Sequence, residues 1–369
     1  MLVKENNIVR ILSVTSINQL FIGLACMKKN SHHNNKYKDY LIMNNTRLLD
    51  DTAEGIKKAS SFWDFDKVID FRNNLAIINN DMHERKFFYK VIYKIIDILL
   101  AERKINKVIS LLRINVNEKN IDEIYVRYKI NQPEKIFLSA FPEAAVYSFE
   151  DGLGDYAYKN LKDKEQDHFI SLRRFIIKII KFIVAKITFS KLQHGGNLYS
   201  RITGIYELLG YRHGHRKQFL LKNTGLTFNN IANEYKHLIK NVSENFVKCA
   251  VDRSFVLLFA SGFSDAGQYY SDKEKIEVIE DIKYTESIVL AIKNLYPNSE
   301  IIIRLHPRTS RELVEAYNNN FLGGVCKIDS SSNFPAEAYF AVSHLEAVVA
   351  GTYSSSLMYA TQLFNKKAF

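Results

Sequence analysis

The sequence has few residues that interrupt secondary structure: five prolines and fifteen glycines in 369 residues. It contains no proline-rich or glycine-rich linker and no visible internal repeat. Its three cysteines, Cys26, Cys249 and Cys326, are far apart and form no CxxC pair. This spacing argues against a disulfide framework or a zinc site, and it is typical of a reducing compartment.

Long apolar runs are also missing. No stretch reaches the roughly 18 uninterrupted apolar residues of a membrane span. The first residues, MLVKENNIVRILSV, lack the basic start, apolar core and cleavage site of a signal peptide. We therefore expect a cytoplasmic protein. The segment 175–187, FIIKIIKFIVAKI, predicts an amphipathic helix, which either lies peripherally on the inner face of an anionic membrane or packs on a domain as a solvated helix.

Positive charge is in excess, with 51 Lys and Arg against 40 Asp and Glu and a net charge of +11. Such a field favours anionic partners: a nucleic acid, a membrane surface or an acidic substrate. A nucleic-acid binder would interleave aromatic and basic residues on one face. Here the aromatic residues, 12% of the chain, are spread through apparent core segments, so we expect no nucleic-acid partner.

Short β-branched runs alternate with longer helical patterns, which predicts an α/β fold with parallel sheets. In the first half, we predict helices after Ser16 and over 81–104, and strands at 8–16, 39–44, 67–71, 107–112, 135–140 and 144–149. In the second half, we predict strands at 254–262, 299–307, 324–330, 335–343 and 345–352, with helices near 273–295, in a short segment after 307, and from Ser354.

These patterns predict two Rossmann-like domains that face a cleft. We expect an N-terminal domain over 1–155, a helical, basic connecting region over 156–250 and a C-terminal nucleotide-binding domain over 251–369. The chain stops soon after the last helix. Either the sequence is a fragment, or NKKAF at 365–369 begins the last strand.

Ligands of open α/β sheets bind outside the carboxyl ends of the strands. Glu150, Asp151 and Gly152 directly follow the predicted strand 144–149. A carboxylate in a partly desolvated cleft suits general-base chemistry, and Gly152 allows a tight turn that presents the acids. The alternative is a solvated turn.

The pair His306-Pro307 follows the run SEIIIRL at 299–305, at the end of the predicted strand 299–307. An imidazole at a strand exit can donate a proton or a hydrogen bond to a leaving phosphate. A histidine with a structural role is the alternative.

Gly351 ends a predicted strand, and Ser354, Ser355 and Ser356 open the next helix. Three hydroxyls and the free N–H groups of a helix start favour an anion such as phosphate, although one serine would suffice as a simple cap. Glu337 lies two residues after Pro335. It could bind ribose hydroxyls, or it could simply be an acid favoured near a helix start.

Several common signatures are absent: GxxxxGK[ST], GxGxxG after a strand, HExxH and GxSxG. The segment YRHGHRKQ at 211–218 brings His213 and His215 together without a neighbouring cysteine or acid. We interpret it as a solvated basic loop, and we expect no bound metal.

The order of these motifs resembles that of the bacterial sialyltransferases and polysialyltransferases of the GT-B type, in which a D/E-D/E-G motif faces an HP motif across the cleft. Here EDG at 150–152, HP at 306–307, PAE at 335–337 and the serine cluster follow in that order. The start, ILSVTSINQLFIGLACM, is similar to the first strand, loop and helix of those enzymes, with residues 16–19 at the cleft. The resemblance covers about residues 8–364, although the middle of the chain matches no motif.

The resemblance implies a CMP-sialic acid donor, inversion at the anomeric carbon, and neither a metal nor another cofactor. Glu150 would take the proton of the acceptor hydroxyl, Asp151 would orient Glu150 or its loop, and His306 would protonate the leaving phosphate. The implied nucleotide-binding residues are Pro307, Glu337, Gly351, Ser354, Ser355 and Ser356. The implied contacts with the other substrate groups come from Asn18, Gly152, Ser261 and Gly262.

The acceptor implied by the resemblance is a sialylated or galactose-containing glycan, in a capsular polysaccharide or lipooligosaccharide. One alternative is another GT-B enzyme that transfers a different sugar, or a polyol phosphate, during surface polysaccharide synthesis. A diphosphate donor often brings a metal or additional basic residues near the phosphate loop, and GTYSSSLMYA at 351–360 has no basic residue.

Overall fold

The computed structural model contains two sheets with helices packed around them. It describes residues 7–44, 50–76, 103–128, 130, 132–150, 198–210, 215–247, 254–259, 272–305, 309, 311–321, 326–330, 334–341, 346–351 and 354–369.

The first sheet has strands β1 (Asn7–Val14), β2 (Lys36–Met43), β3 (Lys67–Asp70), β4 (Glu123–Arg127), β5 (Ala145–Phe149), β6 (Ile202–Glu207) and β7 (Phe228–Asn230). All pairings are parallel, in the order β3-β2-β1-β4-β5-β6-β7. This is the Rossmann order, in which the chain reverses direction across the sheet between β1 and β4.

The second sheet has strands β8 (Phe255–Phe259), β9 (Glu300–Arg304), β10 (Lys327–Asp329), β11 (Ala347–Gly351) and β12 (Lys367–Ala368). It is also parallel, in the order β10-β9-β8-β11-β12, with its reversal between β8 and β11. The last residues therefore do form a strand. The predicted α/β fold with two Rossmann-like sheets is confirmed.

The described helices are α1 (Ile17–Asn30), α2 (Asp50–Ala59), α3 (Arg72–Ala76), α4 (103–116), α5 (Gln132–Ala140), α6 (His215–Thr224), α7 (Ala232–Phe246), α8 (Asp272–Leu295), α9 (Arg311–Asn320) and α10 (Ser355–Gln362). Short 3₁₀ turns cover Ser60–Phe62, Leu198–Arg201 and Ala336–Tyr339. Helix α1 begins as predicted because Ser16 caps it, its side-chain oxygen accepting from the N–H of Gln19.

Three predicted strands are wrong. Residues 107–112 lie in α4, where Ile105, Val108, Leu112 and Val116 are buried at helical spacing rather than at every second residue. Residues 135–140 lie in α5, and 335–343 contain a 3₁₀ turn. Strand β4, between α4 and α5, was not predicted from the sequence.

The boundary predicted at residue 155 is too early for the first sheet. The region 156–250 contributes helices α6 and α7, but it also contributes strands β6 and β7 at the edge of that sheet. These strands are difficult to predict from the sequence. Gly204 interrupts the apolar pattern of β6, and β7 has only three residues, of which two are asparagine. The predicted helices at 81–104 and 175–187 lie outside the described residues, apart from the last two residues of the first.

One hydrophobic cluster extends from the first sheet to the second, and we call it the shared core. It includes Leu12 and Val14 of β1, Leu257 of β8 and Val349 of β11, together with buried side chains of α1, α7 and α10. Two further clusters lie within the individual sheets and their helices. In the described parts of the chain, no helix is both long and apolar enough to cross a bilayer.

Candidate functional site

The candidate site lies at the carboxyl ends of both sheets, where ligands of open parallel sheets bind. In the first sheet, α1 starts directly after β1, beside the β1–β4 reversal. In the second sheet, α10 starts after β11, beside the β8–β11 reversal. Glu150 follows β5 and lies at the same edge of the first sheet.

Glu150 is inaccessible to solvent, and both of its carboxylate oxygens are engaged. Oε2 accepts from the backbone N–H of Leu208 at 3.0 Å, just after β6. Oε1 accepts from the hydroxyl of Tyr359, on α10, at 2.8 Å. One donor therefore comes from the first-sheet region, and the other comes from the helix beside the second sheet.

The positively charged side chain of Lys217 lies close to Glu150. Its ammonium lies 2.5 Å from Glu207 Oε2, 3.0 Å from the carbonyl oxygen of Leu209 and 3.9 Å from Glu150 Oε2. The Lys217 side chain is fully buried, so the interpretation of 211–218 as a solvated basic loop is wrong at this position. The polar contacts explain the burial, since a charged amine is stable inside a protein only when it is paired.

The three serines at the start of α10 make different contacts. Ser354 caps α10, its Oγ accepting from the N–H of Ser356 at 3.2 Å. Ser356 Oγ donates to Glu337 Oε1 at 2.7 Å. Among the described residues, Ser355 Oγ has no hydrogen-bond partner, and its side chain is partly exposed at the first position of the helix. Of the three hydroxyls, that of Ser355 is therefore the best placed for a ligand.

Glu337 lies in the 3₁₀ turn Ala336–Tyr339, which follows Pro335, and it is buried. Burial raises the pKa of its carboxyl above the ordinary value, while the hydrogen bond from Ser356 and the charge of Arg304 act in the opposite direction. Gly351, at the end of β11, lies so close to β8 that an added Cβ would be 3.0 Å from the Cβ of Phe259.

Glu337→Gln is expected to make the protein relatively more stable as pH rises. The folded state binds the Glu337 proton more tightly than the unfolded state, so wild-type stability falls as pH rises from the unfolded pKa through the raised one. Glutamine keeps an acceptor for Ser356 but cannot ionise. Urea midpoints between about pH 5 and pH 8 should therefore diverge in favour of the variant.

Glu54→Gln, on the exposed surface of α2, is the matched control for the loss of one carboxyl. Identical pH dependence in Glu337→Gln and Glu54→Gln would contradict this account of the Glu337 carboxyl.

Tyr235 of α7 connects the two sides of the site. Its hydroxyl donates to Asn18 Oδ1 at 3.1 Å, and its ring lies 6.4 Å from that of Tyr359. Burial raises the pKa of the Tyr235 hydroxyl well above its ordinary value, and the charges of Glu337 and Glu150 raise it further. The tyrosine therefore stays neutral between two acids.

Arg304 fixes the end of β9, two residues before His306. Its guanidinium is buried, forms an ion pair with Asp329 and donates to the carbonyl oxygen of Phe334 at 2.8 Å. Tyr339 also donates to Asp329, at 2.7 Å. The strand that leads to the HP motif is thus fixed at its carboxyl end.

The structure places several residues predicted from the sequence around α10. Ser356 of this helix binds Glu337, and Tyr359 binds Glu150. Asn18 binds Tyr235, whose ring lies 6.4 Å from that of Tyr359. The predicted residues Asp151, Gly152, Ser261, Gly262, His306 and Pro307 lie outside the described residues. Sequence reasoning missed Tyr235, Tyr359 and Lys217. The signal for Tyr359 was a hydroxyl on the apolar face of α10, three residues after Ser356.

No group of three or more His, Cys, Asp or Glu side chains suited to a metal occurs within the part of the chain that the structure describes. A mechanism without a metal stays a prediction.

Comparison with solved structures gives distant similarities. UDP-N-acetylglucosamine 2-epimerase from Rickettsia bellii is 13% identical with a TM-score of 0.48, and the match covers 99% of this chain and 78% of the epimerase. For the Methanocaldococcus jannaschii UDP-GlcNAc 2-epimerase in complex with UDP-GlcNAc and UDP, the identity is 11%, the TM-score 0.49 and the coverage 98% and 83%. The GT-B domain of the Photobacterium damselae sialyltransferase is 9% identical with a TM-score of 0.40, and the match covers 96% of this chain and 88% of that domain.

The sequence comparisons are more specific. No curated protein matches the sequence. Residues 10–369 match the protein family described as "Alpha-2,8-polysialyltransferase (POLYST)". The match covers nearly the whole chain and both sheets. This match confirms the family inferred from the order of the motifs: the chain belongs to the alpha-2,8-polysialyltransferase family of glycosyltransferases.

Proposed function

We propose that this protein transfers sialic acid from CMP-sialic acid to a sialylated glycan acceptor, with inversion at the anomeric carbon and without a metal. The observation that supports this most directly is the helix α10, which binds Glu150 beside the first sheet and Glu337 beside the second. In the proposed cleft between the two Rossmann-like sheets, the acceptor would lie on the Glu150 side and the nucleotide on the Glu337 side.

The proposed reaction forms a bond between the acceptor oxygen and the anomeric carbon, and it breaks the bond between that carbon and the CMP phosphate. The acceptor proton passes to the Glu150 carboxylate, and the electron pair of the broken bond leaves with the phosphate. His306 supplies a proton or a hydrogen bond to that phosphate. The negative charge that develops there is stabilised by donors placed in advance.

Glu150 can act as the base only if the acceptor hydroxyl displaces atoms that now cover it, because the side chain is inaccessible to solvent. Each carboxylate oxygen has two lone pairs, so Oε1 can accept from both Tyr359 and an acceptor hydroxyl. Hydrogen bonds of this kind often form only in the complex with substrate. Asp151, the second acid of the motif, is proposed to orient Glu150 or its loop.

We assign the CMP phosphate to the start of α10. The N–H and hydroxyl of Ser355 point to this role, because Ser354 caps the helix and Ser356 binds Glu337. Glu337, Gly351 and Pro307 complete the proposed nucleotide side. Asn18, Gly152, Ser261 and Gly262 remain the proposed contacts with the other substrate groups.

Ser355→Ala is expected to weaken CMP binding by about 10-fold or more without lowering stability, because it removes a hydroxyl with no described partner. Ser354→Ala is the matched variant, and it should cost about 1 kcal/mol of stability because it removes the cap. Calorimetric titration with CMP and urea unfolding separate the two effects. Unchanged CMP affinity in Ser355→Ala would remove this serine from the phosphate site.

The proposed function is tested by donor hydrolysis and by thermal shift with CMP-sialic acid, CMP, UDP and CDP. We expect a shift with the CMP compounds alone. The shift should weaken in His306→Ala and persist in His33→Ala, a control in an exposed turn. A response to UDP or CDP instead would support a transferase for another sugar or a polyol phosphate. No response to any of the four ligands would refute a transferase that uses a CMP, CDP or UDP donor.

The proposed acceptors are capsular polysaccharide and lipooligosaccharide chains. The proposed place of action is the cytoplasm, with peripheral contact at the inner face of the membrane. The net charge of +11 supports this location, as does the segment 175–187 with its three lysines, because donor, acceptor and inner-leaflet lipids are all anionic.

A further inference from the structure

Helix α10 binds two different acids from one face. Ser356 Oγ donates to Glu337 at 2.7 Å, and the Tyr359 hydroxyl donates to Glu150 at 2.8 Å. Residues three apart on a helix are neighbours on its surface. Because both donors belong to one short helix, a displacement of α10 moves both hydrogen bonds together.

Tyr359 is well fixed for this role. Its side chain is fully buried and packs near the ring of Tyr235. Its backbone carbonyl accepts from the N–H of Leu363 at 2.9 Å and from that of Phe364 at 3.3 Å, at the end of the helix. The ring therefore has little freedom to take its hydroxyl away from Glu150.

The hydrogen bonds that Glu150 accepts from Leu208 and from Tyr359 come from different parts of the fold. The N–H of Leu208 belongs to the chain after β6, so it fixes the carboxylate relative to the first sheet. The hydroxyl of Tyr359 belongs to α10, so it fixes the carboxylate relative to the helix whose first turn carries Ser355. The orientation of Glu150 is thus set by the same element that begins at the proposed phosphate site.

We propose that Tyr359 is a positioning residue for the transfer reaction: through its hydroxyl it orients Glu150 relative to the start of α10. This inference rests on the proposed function, because it takes Glu150 as the base. Tyr359 contacts neither donor nor acceptor in this proposal, and it acts through the carboxylate alone.

Removal of the Tyr359 hydroxyl should therefore affect the chemical step and spare the binding of substrates. The ring of phenylalanine keeps the packing, but Glu150 Oε1 loses the hydrogen bond from the Tyr359 hydroxyl. Hydrogen bonds to a charged group are the stronger class, so we expect kcat to fall about 10- to 100-fold. The KM for CMP-sialic acid and the affinity for CMP should change less than about 3-fold.

The pH dependence gives a second readout. A donor to a carboxylate stabilises its ionised form. Without the hydroxyl, the acidic limb of the kcat profile should move to higher pH. A change that only loosened the packing would lower the amount of folded protein without moving this limb.

The experiment compares Tyr359→Phe with Tyr317→Phe. Tyr317 is the matched control because it is also fully buried and its hydroxyl pairs with Thr285 at 3.1 Å, on helices of the second sheet away from the site. Both variants lose one buried hydroxyl, and thermal midpoints show whether both are folded. Initial rates, CMP titration and the pH profile are then measured on both.

A lower kcat and a shifted acidic limb in Tyr359→Phe alone would support the proposal. Equal kcat values in the two variants, or an effect confined to KM, would overturn it while leaving the proposed function intact. Absence of sialyl transfer in the wild type, with every acceptor tried, would instead refute the proposed function and this inference with it.

Discussion

Glu150→Gln is expected to lower the turnover of the protein by about 100- to 10,000-fold, because the general base is lost. The fold should survive, since glutamine has the shape of glutamate. Its amide oxygen can accept from the N–H of Leu208, and its NH₂ group can donate to the oxygen of Tyr359. Initial rates with CMP-sialic acid, together with CMP affinity and the thermal midpoint, measure the effect. We expect the affinity to change little, because Glu150 lies on the acceptor side of the proposed cleft.

The matched control is Glu300→Gln, which changes another buried carboxylate at the start of β9, the opposite end of the strand from the site. It should retain most of the activity. If Glu150→Gln kept more than about a tenth of wild-type turnover, Glu150 would not be the base. The acid pair would then have to be reconsidered with Asp151 in that role.

Lys217→Met is expected to destabilise the folded protein by about 3–5 kcal/mol, the usual effect of breaking a buried ion pair from one side. Methionine fills a similar volume, so the loss comes from charge. Glu207 loses a partner at 2.5 Å, and Glu150 loses a cation at 3.9 Å. Urea unfolding measures the change.

Lys38→Met is the control, because Lys38 makes an ion pair of the same length with Glu118 at the exposed surface. Solvent screens such pairs, so this change should be much smaller. Adding Glu207→Gln to Lys217→Met should restore part of the lost stability, since one uncompensated charge is removed. Equal destabilisation by the Lys217 and Lys38 substitutions would show that burial does not strengthen the Lys217 pair.

Local patterns were enough to predict the strand ends that form the candidate site. Glu150 follows a buried apolar run, and Ser16 and Ser354 cap helices that begin after strands. The residues next to each of them in the sequence are therefore enough to place them at strand ends. The misassigned run at 107–112 is different. A run of six mixed apolar and polar residues is compatible both with a short strand and with one face of a helix. The spacing of buried residues, which continues as far as Val116, identifies this segment as a helix.

Partners distant in the chain could not be predicted in this way. Tyr359 and Glu150 are 209 residues apart, and nothing near either residue in the sequence specifies the other. Lys217 was misjudged for a related reason. Four basic side chains lie near it in the sequence, which suggested an exposed segment. In the structure, Lys217 is buried because its ammonium is paired with Glu207 and lies close to Glu150, both from the first sheet.

The shared core has a consequence for how the molecule folds. Leu12 and Val14 from one sheet and Leu257 and Val349 from the other belong to the same cluster of buried side chains. Separation of the two sheets would expose that apolar surface to water, which is unfavourable in proportion to its area. We therefore expect the two Rossmann-like units to lose structure in one cooperative transition, so that neither half is an independent folding unit.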